Sequence, residues 1–289
     1  MTWFDRLCGK ATGPVGIAVS GGSDSLGLLV LAHDWAVQSG RELFAMTVDH
    51  RLRPEAADEA RHVARVCASL DIPHQTLVWD APVSKQALAR KARHGLMARA
   101  LRARGGERLL LGHTSDDQCE TFLMRARQGS TWYGLAGMQP LAPSPVWPEG
   151  QGVMIARPVL SHSRADLRAV LAERNIEWTD DPSNRNPAYE RVRMRSLLSG
   201  RPKLKARILA CQVSLQGLRK LEERLIGRWM EESVSLNGSG QADMKLAQLP
   251  REVELGGRTL ELSFHPTDSD GSYVLVLTDV SAQRANERL

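Results

Sequence analysis

Through its first two thirds the chain alternates short apolar runs with longer stretches of helical period. Val15 to Ser20 reads as a strand, followed by a helix to about Ser39 in which Leu26 to Val37 is mostly apolar. Glu42 to Asp49 is the next strand, and Pro54 suits the first turn of a helix running from about Glu55 to Leu70. His74 to Trp79 is a third strand. Ser84 to about Arg104 is a long helix stopped by Gly105-Gly106, and Arg108 to Gly112 is a fourth strand. This alternation predicts an α/β fold, a doubly wound and mainly parallel sheet whose site lies at the C-terminal edge of its strands.

Beyond this point the pattern loosens. Asp116 to Gln128 has helical period, whereas Gly129 to Gly152 carries four prolines and three Trp or Tyr residues and reads as a loop or lid. Met154 to Val159 and a helix from Arg164 to Arg174 complete the first domain, residues 1–180. A polar loop from Thr179 to Pro187 leads to helices at about Ala188 to Leu198 and Lys203 to Glu232, a small helical region over 181–236. Asn237-Gly238-Ser239-Gly240 has linker composition. In the last segment, 237–289, Arg258 to Phe264 and Tyr273 to Thr278 flank a turn at Asp268 to Ser272, a β-hairpin tail with Asp279 capping a short helix-prone end.

Composition narrows the class. Hydrophobic residues at 42% and charged residues at 25% describe an ordinary globular chain, long enough for one large domain or two modest ones. It has no apolar run of membrane-spanning length, and Met1 to Lys10 mixes charge and bulk too early for a signal peptide, so a cytoplasmic location is expected. Cys8, Cys67, Cys119 and Cys211 form no C-x-x-C pair, which argues against a disulfide framework or a zinc or iron–sulfur site.

The net charge is only +5, but it is unevenly spread. Lys85 to Arg108 holds eight basic residues against Glu107 alone, and Arg191 to Arg207 holds seven with no acid. Blocks this one-sided suit a polyanion such as a nucleic acid, although the first would also serve as a solvated helix face.

The candidate chemistry begins at Ser20-Gly21-Gly22-Ser23-Asp24-Ser25, where a buried strand empties into a helix through a turn of glycines and hydroxyls. Glycines let the backbone approach an anion, and the helix start offers unpaired N–H groups and the positive end of its dipole. No Lys follows, so this is not the G-x-x-x-x-G-K-[ST] loop, and Asp24 beside a phosphate calls for a cation between them.

A second cluster, Gly112-His113-Thr114-Ser115-Asp116-Asp117-Gln118-Cys119-Glu120-Thr121, also sits where a strand enters a helix. Asp117 and Glu120, three apart, share one helical face. Asp24 and Asp117 are the candidates for Mg2+, which bridges phosphate oxygens from one or two carboxylates. His113 either contacts phosphate, transfers a proton or packs as a structural residue, and Asp116 is expected to cap the helix. Asp49, in Val48-Asp49-His50-Arg51-Leu52-Arg53 after the second strand, stands where such sheets read adenine and ribose. Asp181-Pro182-Ser183-Asn184 is followed by Arg191, Arg193 and Arg195, whose spacing spreads them over several helical faces.

The hexapeptide at 20–25 resembles the SGGxDS loop of the PP-loop family, the N-type ATP pyrophosphatases. With VDHRLR at 48–53, ARKARH at 89–94, GHTSDDQCET at 112–121, GLAGM at 134–138, ARPVL at 156–160 and DPSN at 181–184, the chain resembles the bacterial tRNA(Ile)-lysidine synthetases over about 180 residues. That resemblance implies an enzyme that activates C2 of the wobble cytidine of an isoleucine tRNA with a CAU anticodon, using ATP. Free lysine then attacks through its ε-amino group, giving lysidine and AMP. It implies that Ser20, Gly21, Gly22, Ser23, Asp24 and Ser25 hold ATP phosphates and that Asp24 and Asp117 lie near Mg2+. It further implies that Arg93 faces the reaction centre and that His113 and Glu120 stand on the active-site helix, with Glu120 orienting the lysine amine. Arg191, Arg193 and Arg195 fall in the region leading to the tRNA-contacting helices, and dimers fit the family.

The end of the chain departs from the family pattern of further tRNA-binding domains. Leu255 to Leu289 resembles the end of a PAS-type sensor domain and its exit helix. Two other readings stand beside the ligase: another PP-loop enzyme such as a tRNA thiolase, and an inactive nucleotide-binding signalling module.

Overall fold

The computed structural model describes residues 2–49, 56–79, 86–180, 186–234, 252–255, 258–266 and 273–279. The stretches His50–Arg53, Asp181–Asn184, Asn237–Gly240 and the tail after Asp279, each assigned a role from sequence, lie outside them.

Period-two alternation sorts the strand side chains to two faces. Val15 and Ile17 of β1 (Val15–Ala18) and Leu43 and Ala45 of β2 (Leu43–Asp49) enter one buried cluster. Phe44 and Met46 of β2 and Leu109 of β4 (Arg108–Leu110) enter another on the opposite side. The sheet also contains β3 (His74–Val78), β5 (Leu141–Pro143) and β6 (Met154–Ala156), in the order β3-β2-β1-β4-β6-β5. All neighbours pair in parallel except β5, which runs antiparallel on the edge.

The first cluster packs under α1 (Trp3–Cys8), α2 (Ser23–Ser39), α3 (Ala56–Ser69) and α7 (Arg164–Glu173), through residues such as Leu26, Val63, Leu167 and Leu171. The second is covered by α4 (Gln86–Ala103), through Met97, Ala98 and Leu101. Helices on both faces make the sheet doubly wound, as predicted. The chain leaves β1 towards β2 and leaves β4 towards β6, on opposite sides, so a crevice opens between the loops that follow β1 and β4.

Off the sheet, α5 (Ser115–Arg127) packs with α6 (Trp132–Leu135) and α8 (Glu190–Leu198). Cys119, Leu198 and Ile208, the last on α9 (Pro202–Val234), form a small third core with Phe122 and Leu204 around it. The chain divides into two compact units, Met1–Val213 and Ser214–Leu289.

Three elements differ from the sequence reading. The helix α1 was not expected, although Thr2 and Asp5 form a capping box. The stretch from 129 to 152 is no mere loop: it contains α6 and β5, and it buries Ala136 and Val146. Its strand is three residues long with Pro143 at its end, tolerable only on an edge and too short for a periodic signal. In the second unit the expected hairpin is a three-stranded antiparallel sheet of β7 (Glu252–Leu255), β8 (Arg258–Pro266) and β9 (Tyr273–Asp279), in that order. The four-residue β7 alternates charged with apolar residues too briefly to be read alone.

Candidate active site

The loop after β1 is held open by its own hydroxyls. The Ser25 hydroxyl accepts from the Ser20 backbone N–H at 3.1 Å and donates to the Gly22 carbonyl at 3.0 Å. Gly21, at φ +85°, takes a backbone turn that L side chains rarely adopt, and its carbonyl accepts from the Thr179 N–H at 2.9 Å. Gly22 is the N-cap of α2 and supplies no side-chain cap, so the first N–H groups of the helix remain available to an anion.

The loop after β4 comes directly against this one. A Cβ on Gly112 would lie 2.8 Å from the Asp24 carbonyl oxygen, so only glycine lets the two loops approach this closely. Asp116 was expected to cap α5, but the cap is Thr114, in a capping box with Asp117. Thr114 is two residues beyond Gly112, where the backbone is still extended, and Asp116 is already inside the first turn. Asp116 instead accepts from Lys205 Nζ at 2.5 Å and from the Arg164 backbone N–H at 2.8 Å, joining α5, α9 and α7. Those two donors outweigh partial burial and hold its carboxyl below the usual range.

A cavity of about 710 Å³ lies where the two loops meet, a size suited to a nucleotide. One wall is acidic and already neutralised. Arg164 donates from Nε to Asp24 at 2.9 Å, from Nη2 to Asp117 at 3.2 Å and from Nη1 to Glu120 at 3.5 Å. Arg191 reaches Asp117 at 3.1 Å and Glu120 at 2.8 Å, and Arg195 reaches Glu120 at 2.9 Å. Glu120 is 1% exposed and lies behind these guanidiniums. Burial opposes the charge of Arg164, but Asp24, Asp117 and Glu120 prevail and hold it above its ordinary range. Burial raises the Asp24 carboxyl despite Arg164, and the nearby Asp117 charge adds to the rise.

The opposite wall is built largely from basic side chains. Arg90, Arg93 and His94 reach the cavity from α4, and His113 from the end of β4. Arg157, just past β6, donates from Nε to His113 Nδ1 at 3.1 Å and from Nη1 to the Gln139 carbonyl at 2.8 Å. Burial first, then Arg157 and Arg90, pushes His113 down to about 3. Burial, then Arg90 and Arg93, pushes His94 down to about 4, and burial and Arg90 lower Arg157 to about 10. Both imidazoles are therefore neutral near pH 7. His113 serves as a hydrogen-bond acceptor rather than as an acid.

Ser20, Gly22, Ser23, Asp24, Ser25, Arg93, His113, Asp117, Arg191 and Arg195 thus line one cavity. Arg191 and Arg195, four apart on α8, share a face that turns into the acidic wall. Arg193 lies elsewhere on the helix and donates to the carbonyls of Pro187 and Ala188. Asp49 is half-buried at the end of β2, whose contribution to the cavity wall is Met46, Thr47 and Val48.

Sequence reasoning assigned no role to Arg157, Arg164, Arg168 or His94. Arg168, one turn beyond Arg164, donates to the Ser23 hydroxyl at 3.3 Å and lies over the Trp178 ring at 5.6 Å. One signal was available: an arginine at the first position of α7 opposes the helix dipole, so nearby carboxylates had to offset it.

A family model described as the PP-loop domain matches residues 4–201. The chain belongs to this family. Among curated proteins it is similar to the tRNA(Ile)-lysidine synthase of Hyphomonas neptunium, 54% identical over 227 residues, which cover 78% of this chain and 62% of that protein. The enzyme of the same name from Rhodopseudomonas palustris is 47% identical over 194 residues, 65% of this chain and 54% of the relative. That of Zymomonas mobilis is 42% identical over 201 residues, 68% and 59%. The matched part thus spans between half and two thirds of the length of these relatives. Among solved structures, the U34-tRNA thiolase NcsA from Methanococcus maripaludis shares the fold, with a TM-score of 0.57 and 17% identity over 74% of this chain and 73% of that one.

Proposed function

We propose that this PP-loop protein forms lysidine on an isoleucine tRNA with a CAU anticodon, using ATP and free lysine. In the first step O2 of the wobble cytidine attacks the α-phosphorus of ATP, and the bond to pyrophosphate breaks. The Ser20–Ser25 turn and the uncapped start of α2 hold the departing phosphates, and Arg168 reaches the same turn through Ser23. Arg90 and Arg93 supply positive charge on the cavity wall, and Arg157 adds to it from behind His113. In the second step the lysine ε-nitrogen bonds to C2, the C2–O bond breaks and AMP leaves.

The observation that carries this reading is the Asp117–Glu120 pair beside the phosphate loop. Two carboxylates on one face suit an ammonium, and Arg191 and Arg195 now fill that position. Lysine therefore reaches Glu120 only when one of these arginines moves. The identity to lysidine synthases supports the same assignment. Three of the four cysteines lend the thiolase alternative no support: burial pushes the Cys8 and Cys67 thiols up to about 12 and Cys119 to about 11, so none of these three is poised as a sulfur carrier.

Mg2+ fits this site in part. Asp24 uses one oxygen for Arg164, while the other accepts from the adjacent Ser23 hydroxyl, leaving it room for a phosphate-bound cation. Asp117 does not fit as a ligand while its oxygens are committed to the Thr114 cap and to Arg164 and Arg191. Among the described residues no group of three or more His, Cys, Asp or Glu is placed to hold a metal. The ion would offset phosphate charge. A homodimer in the cytoplasm belongs to the same proposal; no helix among the described residues is long and apolar enough to cross a membrane.

The test is pyrophosphate release from ATP, with and without lysine and the tRNA, together with entry of labelled lysine into the RNA. Release that requires the tRNA, with lysine incorporated, is expected. Glu120→Gln should lower lysine incorporation by at least about tenfold while tRNA-dependent pyrophosphate release persists. Absence of lysine incorporation by the parent protein would refute the reading.

A further inference from the structure

The C-terminal end of α5 is joined to α6 and to the start of α8, and each junction has a tyrosine beside it. Arg125 Nη1 donates to the Gly134 carbonyl at 2.5 Å and draws α6 against α5. Tyr133, next to that glycine, is 40% exposed and meets Trp132 edge to face, with ring centroids 5.4 Å apart. Arg127 pairs with Glu190 at 2.8 Å and fastens the start of α8 to the same end of α5. Tyr189, next to that glutamate and N-cap of α8, is 42% exposed. Arg193 is held against the carbonyls of Pro187 and Ala188 just before Tyr189.

Both junctions are made by α5, the helix that brings Asp117 to the cavity. Tyr189 precedes the cavity-lining Arg191 by two residues. Along α5, Glu120 and Arg127 are about 10 Å apart at about 1.5 Å per residue, a distance that an adjoining nucleotide bridges. Arg125, Arg127 and Arg193 outnumber Glu190, so the surrounding charge favours a polyanion. A base buried in the cavity must be unstacked from its neighbours, and single-stranded RNA is commonly received on aromatic side chains flanked by arginines.

We infer that Tyr133 and Tyr189 form a stacking surface for the nucleotides flanking the base that enters the cavity. The inference rests on the RNA substrate proposed above and assigns to it a surface outside the reaction centre.

The test measures binding of an anticodon stem–loop RNA at fixed salt to the parent protein and to Tyr133→Ala, Tyr189→Ala, Tyr133→Phe and Tyr189→Phe. Each alanine variant should bind about tenfold more weakly, the scale of one lost base–aromatic stack, while each phenylalanine variant keeps the parent affinity. ATP affinity and thermal midpoint, measured on the same samples, should stay at parent values, separating a lost stack from misfolding. If the parent binds the RNA and incorporates lysine while both alanine variants bind as tightly as the parent, the stacking surface is refuted and the function stands. The surface is equally refuted if the alanine substitutions change only self-association. If the parent itself binds no RNA, both the function and this surface fall.

Discussion

The two walls of the cavity solve opposite electrostatic problems. On one, Asp24, Asp117 and Glu120 meet Arg164, Arg191 and Arg195, and charge is balanced within the protein. On the other, Arg90 lines the cavity with His94 and His113 while Arg157 stands behind as the donor to His113, so positive charge gathers there. The first wall is a closed network in which each charge depends on its partner. The second is suited to an anion, and the neutral state of His94 and His113 reflects burial together with the repulsion that an anion would relieve. The reaction proposed above, between a polyanionic nucleotide and an ammonium nucleophile, would need both: positive charge facing the phosphates and screened carboxylates for the amine.

The largest effect that would break this contrast comes from Arg164. Its guanidinium touches all three carboxylates and is 16% exposed, so Arg164→Ala leaves partly buried Asp24 without its arginine and weakens the balance at Asp117 and Glu120, which keep Arg191 and Arg195. A loss of about 3 kcal/mol in urea unfolding is expected, with pyrophosphate release falling by about 100-fold or more. Unchanged unfolding and turnover would mean that the acidic wall is not a coupled network.

The basic wall gives the next effect, in pH. His94 and His113 have folded values of about 4 and 3 against an ordinary 6.5, so both are depressed. Their contribution to stability is complete above pH 6.5 and is lost as pH falls towards 4 and 3, because the unfolded chain takes up protons that the folded chain refuses. Between about pH 6 and pH 5 the parent should lose at most about 2.7 kcal/mol per pH unit through this pair, two protons at about 1.4 each. The variant carrying His94→Gln and His113→Gln should show a flatter profile over that range. Equal slopes for the two proteins would remove the electrostatic account of this wall.

The smallest effect sharpens the join between the walls. Thr114 is fully buried and caps α5 just after the Gly112 contact with Asp24. Thr114→Ala should cost about 1 kcal/mol in denaturant unfolding, with Asp117 less firmly placed. Thr114→Ser, which keeps the hydroxyl, should recover most of that loss.

Legibility from sequence followed range along the chain. The strand–turn–helix at Val15 to Ser39, the alternation behind the parallel sheet and the pairing of Asp117 with Glu120 on one face are local patterns, set by backbone periodicity and by glycine. They could be read without knowing any neighbour. Arg157 gave no such signal, and for Arg164 only its place at the start of α7, against the helix dipole, pointed to carboxylates without saying which. Arg164 touches Asp24 from 140 positions away and Arg157 touches His113 from 44. Arginines are common on exposed helices, so only their partners mark these as different.

Arg191 and Arg195 show the same limit from the other side. The sequence spread them with Arg193 over several helical faces, but which of those faces met carboxylates depended on how α8 packs against α5. Local chain chemistry sufficed for the doubly wound sheet, the phosphate turn and the two carboxylates beside it, because hydrophobic period and backbone conformation are properties of short segments. Which charges pair within the protein, and which face the cavity ready for a ligand, emerged only from the packing of distant elements. Electrostatic balance in a buried site depends on distances of a few ångströms between residues far apart in the chain, and folding alone sets those distances.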